Sequence, residues 1–201
     1  MQLPNNAATN GWYNVLPNPT PARQVSGTIR VPYVVLGTGV TGLSAARQLA
    51  THLPEEQIVL IEAERVGFGT SGRNSGFVLD SFFHGDEPLK NPELSAAHKR
   101  LCTGGLEILR KLVKENGIEC GWHDWGKLHV SAGSEGDADL KGFIQGYETL
   151  GIQAQELDAN EVAAVTGSTF YTAGLKVEGT GLMNPAAMCR GLGETLPPNV
   201  A

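Results

Sequence analysis

The stretch Val31-Pro32-Tyr33-Val34-Val35-Leu36-Gly37-Thr38-Gly39-Val40-Thr41-Gly42 decides the fold of this chain. Its first half is a short apolar, β-branched run, typical of a buried parallel strand that begins just after the proline. Apolar residues then recur at helical spacing through residues 40–52, and residues 57–61 form a second buried run. A strand, a helix and a strand within about 30 residues predict a βαβ unit.

The second half of the stretch fits the pattern G-x-G-x-x-G, in which each glycine has its own task. Gly37 turns the chain, Gly39 lets the backbone approach a pyrophosphate, and Gly42 lets the helix pack close to the strand. Backbone amides and the positive helix end would meet the phosphate charge. Glu62 ends the second strand about 20 residues later, where a carboxylate accepts hydrogen bonds from an adenosine ribose and repels a 2′-phosphate. The pattern predicts a dinucleotide site that disfavours NADP; the alternative is a glycine-rich turn with a surface glutamate.

Composition excludes several classes of partner. The chain has 15 Lys and Arg against 21 Asp and Glu, a formal charge of −6, which argues against nucleic acid and against an anionic membrane surface. Three cysteines without a C-x-x-C pair indicate a reduced setting rather than a disulfide framework. There is no apolar run of membrane-spanning length and no signal-peptide pattern at Met1. We therefore expect a soluble, cytoplasmic protein with small-molecule or protein partners.

The rest of the chain alternates helices and strands. Prolines favour an irregular arm over residues 1–30. The periodicity predicts helices over residues 92–116, 137–150, 159–165 and 184–192, and strands over residues 128–131 and 170–177. Gly104-Gly105 weakens the middle of the longest helix.

A second glycine-rich motif follows the second strand. It reads Glu62-Ala63-Glu64-Arg65-Val66-Gly67-Phe68-Gly69-Thr70-Ser71-Gly72-Arg73-Asn74-Ser75-Gly76. Residues 67–76 form a loop that exposes its backbone, and Ser71, Arg73 and Asn74 offer a hydroxyl, a cation and amides to an anionic ligand.

This run resembles the E-A-x-x-V-G-x-G-A-S-G-R-N-x-G motif of the FAD-dependent D-amino acid oxidase superfamily, and within it the gamma-glutamylputrescine oxidase-like amine oxidases. It departs at Thr70, where the family commonly has Ala, and at Ser75, where Gly is frequent; both residues are small. Weaker similarities at residues 18–19, 125–128 and 179–185 follow the order of that family.

The resemblance implies an α/β fold, with a Rossmann-type FAD-binding βαβ domain and part of an α+β substrate domain. It divides the chain into an arm (1–30), an FAD-binding region (31–90), a partial substrate domain (91–183) and a helix returning to the FAD domain (184–201). The expected cofactor-binding residues are Gly37, Thr38, Gly39, Val40, Thr41, Gly42, Glu62, Ala63, Gly69, Ser71, Gly72, Arg73, Asn74, Ser75 and Gly76.

The resemblance also implies a reaction, the oxidation of a C–N bond in an amine or amino acid. Hydride passes from the carbon bearing a neutral amine to flavin N5, the imine hydrolyses, and oxygen or another acceptor reoxidises the flavin. The residues that select the substrate would lie largely outside this chain, so we name no catalytic residue.

Family members continue well beyond this length, so the chain resembles an N-terminal half. It is a truncated product, a fragment of a longer polypeptide, or one subunit whose partner chain supplies the rest. Two other functions stay open. An NAD-dependent dehydrogenase shares the first motif but has no use for residues 71–76, and a non-catalytic FAD-binding subunit shares every motif.

Several other residues have a structural interpretation. The spacing of Cys120, His123 and His129 matches no standard zinc pattern, so we expect strand or turn residues and no metal. Trp122 and Trp125 are expected to pack in a core rather than line a substrate cavity. We expect Arg65 to be solvated, and His84 to face the active site or to cap a turn. We expect the cysteines to be buried thiols, and nothing in the sequence supports a covalent link between a cysteine and the flavin.

Overall fold

The computed structural model describes residues 10–17, 24–81, 83 and 86–201. Residues 18–19 and His84, which carried two of the expectations, lie outside these ranges. The helices are α1 (Gly11–Asn14), α2 (Val40–His52), α3 (Glu87–Lys90), α4 (Pro92–Glu115), α5 (Ser134–Thr149), α6 (Ala159–Thr166) and α7 (Pro185–Glu194). The strands are β1 (Tyr33–Leu36), β2 (Ile58–Ile61), β3 (Phe77–Val78), β4 (Lys127–Ser131), β5 (Ala154–Asp158), β6 (Ala173–Val177) and β7 (Gly181–Leu182).

The chain forms two compact units. The first comprises the described residues of Met1–Gly76, Arg110–Trp122 and Met183–Ala201, and the second those of Phe77–Leu109 and His123–Leu182. The functional division into an FAD-binding region and a substrate domain, with boundaries at residues 30, 90 and 183, stays a prediction.

The first unit contains the predicted βαβ arrangement. β1 and β2 pair in parallel, from Tyr33 opposite Ile58 to Leu36 opposite Ile61, and α2 connects them with the predicted bounds. The backbone of residues 199–201 lies along the other edge of β2, where the Ile58 amide donates to the Asn199 carbonyl at 3.0 Å. The βαβ prediction is confirmed.

The prediction that the first strand is buried is wrong. Ile58 of β2 is fully buried, whereas Val34 and Leu36 of β1 are 52% and 77% exposed. Among the residues that the structure describes, no strand pairs with the second edge of β1. An apolar parallel strand requires layers on both faces, and the described part of this unit does not supply them.

Helix α7 supplies much of the core of the first unit. Six of its residues are buried, among them Met188, Cys189 and Leu192. Its start follows from sequence, because the Asn184 side chain accepts hydrogen bonds from the amides of Ala186 and Ala187, each at 3.0 Å, and Pro185 occupies the first turn.

The second unit is built on an antiparallel sheet in the order β4-β6-β5. Helix α5 packs on this sheet, and its Leu140 and Tyr147 join Phe83, Leu175 and Val177 in a buried cluster. A short antiparallel pair, β3 and β7, completes the unit.

Sequence patterns located most elements of the second unit but missed others. α5 begins three residues earlier than predicted, and β6 begins at Ala173 rather than at residue 170. β5 was not predicted because Ala-Gln-Glu-Leu-Asp buries only Leu157 and lacks the alternation of a strand. α4 runs through Gly104-Gly105 without interruption.

None of the helices in the described ranges has the length and apolar character needed to cross a bilayer.

Candidate functional site

The G-x-G-x-x-G hexad lies where β1 gives way to α2. Gly37 has φ +96°, a conformation that favours glycine, and its amide donates to the Ile61 carbonyl at 2.7 Å. A Cβ atom on Gly42 would lie 1.9 Å from the Gly37 carbonyl oxygen. The close packing of helix on strand predicted for Gly42 is therefore present.

The start of α2 presents backbone amides. Gly39 precedes the helix without a side-chain cap, and the Val40 amide donates to the Ser71 hydroxyl at 3.1 Å. Within the described ranges, the amides of Thr41 and Gly42 have no protein acceptor. These amides and the helix dipole make this end of α2 attractive to an anion.

Glu62 is held by four hydrogen bonds. Its Oε2 accepts from the Thr38 amide at 2.8 Å and from the Thr38 hydroxyl at 2.7 Å. Its Oε1 accepts from the amides of Ala63 at 2.9 Å and Glu64 at 3.2 Å. Burial alone would raise the pKa of Glu62, but these bonds outweigh it and hold the pKa below its usual value. The side chain is thus a carboxylate at neutral pH.

A cleft of about 1010 Å³ opens beside this carboxylate. Its walls include Thr38, Leu43, Leu60, Glu62, Arg65 and Pro197. Its size and its lining of apolar residues with a few charged side chains are typical of a small-molecule site.

The second glycine-rich loop is joined to the hexad. The Gly67 amide donates to the Thr38 carbonyl at 3.1 Å, and Ser71, in a single 3₁₀ turn over Thr70–Gly72, reaches Val40 as described above. A Cβ on Gly72 would lie 2.1 Å from the Gly67 carbonyl oxygen, so the loop folds tightly on itself. The structure therefore brings the two motifs together.

The polar side chains of this loop also hold the loop itself. Arg73 Nε donates to the Phe68 carbonyl at 2.7 Å, and its guanidinium lies 4.7 Å from the centre of the Phe68 ring. Asn74 Nδ2 donates to the Ser71 carbonyl at 2.9 Å, and its Oδ1 accepts from the Gly76 amide at 2.8 Å. These contacts give both residues a role in shaping the loop.

All fifteen predicted cofactor-binding residues lie in the first unit. Ala63, Gly69 and Ser75 are exposed, whereas Gly76 is buried and its carbonyl accepts from the Met183 amide at 3.0 Å.

The expectation of a solvated Arg65 is wrong. Its guanidinium lies 4.3 Å from the centre of the Tyr13 ring and 5.6 Å from that of Phe68, a cation–π arrangement at the wall of the cleft. Sequence analysis also missed Asn10, Trp12 and Tyr13, whose side chains donate hydrogen bonds to the second glycine-rich motif. The pair Trp12-Tyr13 in a polar, proline-containing segment was the available signal.

His129 belongs to the second unit, where it lies among other polar groups. His129 Nε2 and the Tyr147 hydroxyl are 2.9 Å apart, and Lys127 Nζ is 3.3 Å from the Ser81 hydroxyl. Burial lowers the pKa of Lys127, and burial together with Lys127 lowers that of His129. The described residues contain no group of three or more His, Cys, Asp or Glu placed to hold a metal ion.

Trp125 does not pack in a core as expected, because it is 69% exposed and stacks on His123. The expectation of buried thiols is confirmed for Cys120 and Cys189, while Cys102 is half-buried. Burial raises the pKa of Cys189 to about 11.

Comparison with known proteins agrees with this geometry. A sequence model of the family described as FAD dependent oxidoreductase matches residues 32–197. The chain belongs to this family. The family is FAD-dependent and its members are oxidoreductases, so the predicted family and cofactor class are confirmed.

Two curated relatives and one solved structure illustrate the similarity. The chain is 31% identical over 165 residues to the probable oxidoreductase OrdL of Haemophilus influenzae, covering 79% of this chain and 37% of the relative. It is 30% identical over 190 residues to gamma-glutamylputrescine oxidoreductase of Escherichia coli, and this match covers 91% of this chain and 43% of the relative. Glycine oxidase from Geobacillus kaustophilus superposes with a TM-score of 0.67 at 19% identity, over 82% of this chain and 44% of that one. The chain thus spans less than half the length of these proteins, and the predicted fold class, with an incomplete domain, is confirmed.

Proposed function

We propose that the first unit binds FAD, and that the two glycine-rich motifs form one site for it. The observation that carries this proposal is the hydrogen bond between the Ser71 hydroxyl and the Val40 amide. It places a loop rich in backbone amides against the positive end of α2, beside the carboxylate of Glu62.

The residues present fit such a cofactor. The amides of Thr41 and Gly42, with no protein acceptor among the described residues, suit phosphate oxygens. Glu62 can accept a hydrogen bond from a ribose hydroxyl. Because its oxygens already accept four hydrogen bonds, one of the present donors would have to move away. The Thr38 hydroxyl is the one that can rotate away, since the other three donors are backbone amides.

The bound flavin would accept hydride from a substrate, and the protein would contribute binding and orientation. Glu62 and the start of α2 would hold the nucleotide end, while Ser71, Arg73, Asn74 and Ser75 would shape the loop against the rest of the cofactor. We name no catalytic residue among the described side chains.

We propose further that the complete enzyme oxidises a C–N bond of an amine or amino acid, with oxygen or another electron acceptor. The support is the similarity to gamma-glutamylputrescine oxidoreductase over 91% of this chain. Turnover would need sequence beyond these 201 residues, in the same polypeptide or in a second chain. The exposure of Val34 and Leu36 on β1 supports this requirement. A cytoplasmic location, consistent with three free cysteines, is part of the same proposal.

Purified chain tests the cofactor assignment. We expect it to carry, or to take up, a yellow chromophore that heat releases and chromatography identifies as FAD, and we expect NAD not to displace it. Exclusive binding of NAD would favour a nicotinamide-dependent dehydrogenase. FAD binding without turnover, even when the remainder of a homologous enzyme is co-expressed, would favour a non-catalytic FAD-binding subunit.

A further inference from the structure

Three side chains that precede β1 in the chain donate hydrogen bonds to the second glycine-rich motif, residues 62–76. Asn10 Nδ2 donates to the Gly72 carbonyl at 3.0 Å, and Trp12 Nε1 donates to the Asn74 carbonyl at 2.9 Å. The Tyr13 hydroxyl donates to the Val66 carbonyl. We call Asn10, Trp12 and Tyr13 the clasp.

The clasp is itself held in one geometry. Asn10 Oδ1 accepts from the Trp12 amide at 3.0 Å and so starts α1, while the Trp12 carbonyl accepts from Asn184 Nδ2 at 3.2 Å. Asn10 and Tyr13 are each only 8% exposed. Burial, followed by the nearby Cys189, raises the pKa of Tyr13, so its hydroxyl stays protonated and able to donate.

Each hydrogen bond that the clasp donates ends on a backbone carbonyl, and this fixes the direction of the amides that follow these carbonyls. In a trans peptide the carbonyl and the N–H of the same unit point in opposite directions, and the described chain contains no cis peptide. Because Trp12 holds the Asn74 carbonyl, the Ser75 N–H points away from the clasp. Among the described residues, that N–H has no protein acceptor.

We propose that the clasp orients the peptide between Asn74 and Ser75 so that the Ser75 N–H is presented to an oxygen acceptor of the bound flavin dinucleotide. Asn10 and Trp12 are then positioning residues, which act on the cofactor through the loop and do not touch it. This inference rests on the proposed function of the first unit.

Two variants remove single donors and little else. Trp12→Phe keeps an aromatic ring but lacks the N–H, and Asn10→Ser keeps a side-chain oxygen that can start α1 but lacks the amide donor. Val15→Ala is the matched control, since Val15 lies in the same segment and is 74% exposed.

The first readout is hydrogen exchange of the Arg73 and Gly76 amides in cofactor-free protein. Both amides are bonded within the loop, to the Thr70 carbonyl and to Asn74 Oδ1. Loss of one neutral hydrogen bond should speed their exchange by about two- to tenfold in either clasp variant. The control should leave both rates unchanged.

The second readout is FAD affinity from flavin fluorescence, with the thermal unfolding midpoint of the cofactor-free protein measured in parallel. We expect the dissociation constant to rise by about two- to tenfold in the clasp variants, while Val15→Ala leaves it unchanged.

Unchanged exchange in both variants would overturn the clasp itself. Faster exchange with unchanged FAD affinity would overturn its positioning role. If the wild-type chain bound no FAD, the proposed function would fail, while the exchange rates would still decide whether the clasp holds the loop.

Discussion

Replacing Glu62 by Gln tests the chemistry of the site most sharply. The carboxylate accepts four hydrogen bonds, two on each oxygen, from Thr38, Ala63 and Glu64. Gln puts an NH2 group in place of one oxygen. That NH2 group can only donate, yet it faces the two groups that donated to the oxygen it replaces. The Thr38 hydroxyl can rotate to accept, but a backbone amide cannot.

The smallest loss is therefore one charge-assisted hydrogen bond, together with the weakening of the others once the charge is gone. Such bonds contribute about 1.5–3 kcal/mol each, so we expect the free energy of unfolding to fall by about 2 kcal/mol. Urea unfolding of the cofactor-free chain at pH 7 measures this change. FAD affinity should fall as well, because a ribose hydroxyl loses its anionic acceptor.

The same variant has a defined pH signature. The pKa of Glu62 is lowered in the folded chain, so its contribution to stability is fully present above the unfolded value of about 4.3 and is lost as pH falls through the folded value. The wild-type chain should thus lose stability more steeply than Glu62→Gln below about pH 4. Equal stability of the two proteins at pH 7, with parallel pH curves, would refute the hydrogen-bonded carboxylate.

Two further predictions use residues at contrasting positions. Gly42→Ala should abolish FAD binding and destabilise the chain by at least about 2 kcal/mol in urea unfolding, because the new Cβ would overlap the Gly37 carbonyl oxygen. Gly105→Ala is its control, since nothing lies within 4 Å of a Cβ at that exposed helical position, and it should stabilise the chain by about 0.5–1 kcal/mol; destabilisation there would contradict the continuous helix α4. Leu36→Lys should reduce self-association in sedimentation experiments without changing the unfolding midpoint, because Leu36 is 77% exposed on a strand whose second edge pairs with no strand of the described residues. A large drop in the midpoint would instead show that Leu36 is buried in solution.

Local sequence signals predicted the parts of the site that are local in the chain. The bounds of α2 and the position of Glu62 after β2 follow from apolar periodicity and glycine spacing, which act within about 30 residues. The close approach of α2 to β1 followed from Gly42, since the motif itself encodes that contact.

The parts that failed depend on contacts between distant residues. The apolar sequence of β1 indicates a buried strand. Burial also requires neighbouring layers, and a local pattern does not show whether those layers are present. Asn10 donates a hydrogen bond to Gly72, and Trp12 donates one to Asn74, each across 62 residues of chain. Hydrophobic periodicity does not predict such long-range pairs. Arg65 was expected in solvent because a sequence does not show that an aromatic ring of Tyr13 will lie beneath it.

The central claim is that one dinucleotide occupies both glycine motifs, and an NMR titration of backbone amides with FAD tests it most directly. We predict that the amide signals of Thr41, Gly42 and Ser75 shift together along one saturation curve, and that NAD at the same concentrations does not reproduce the shift at Ser75. Saturation of the hexad amides by FAD with no response from Ser71 to Gly76, or an identical response to NAD, would contradict the claim.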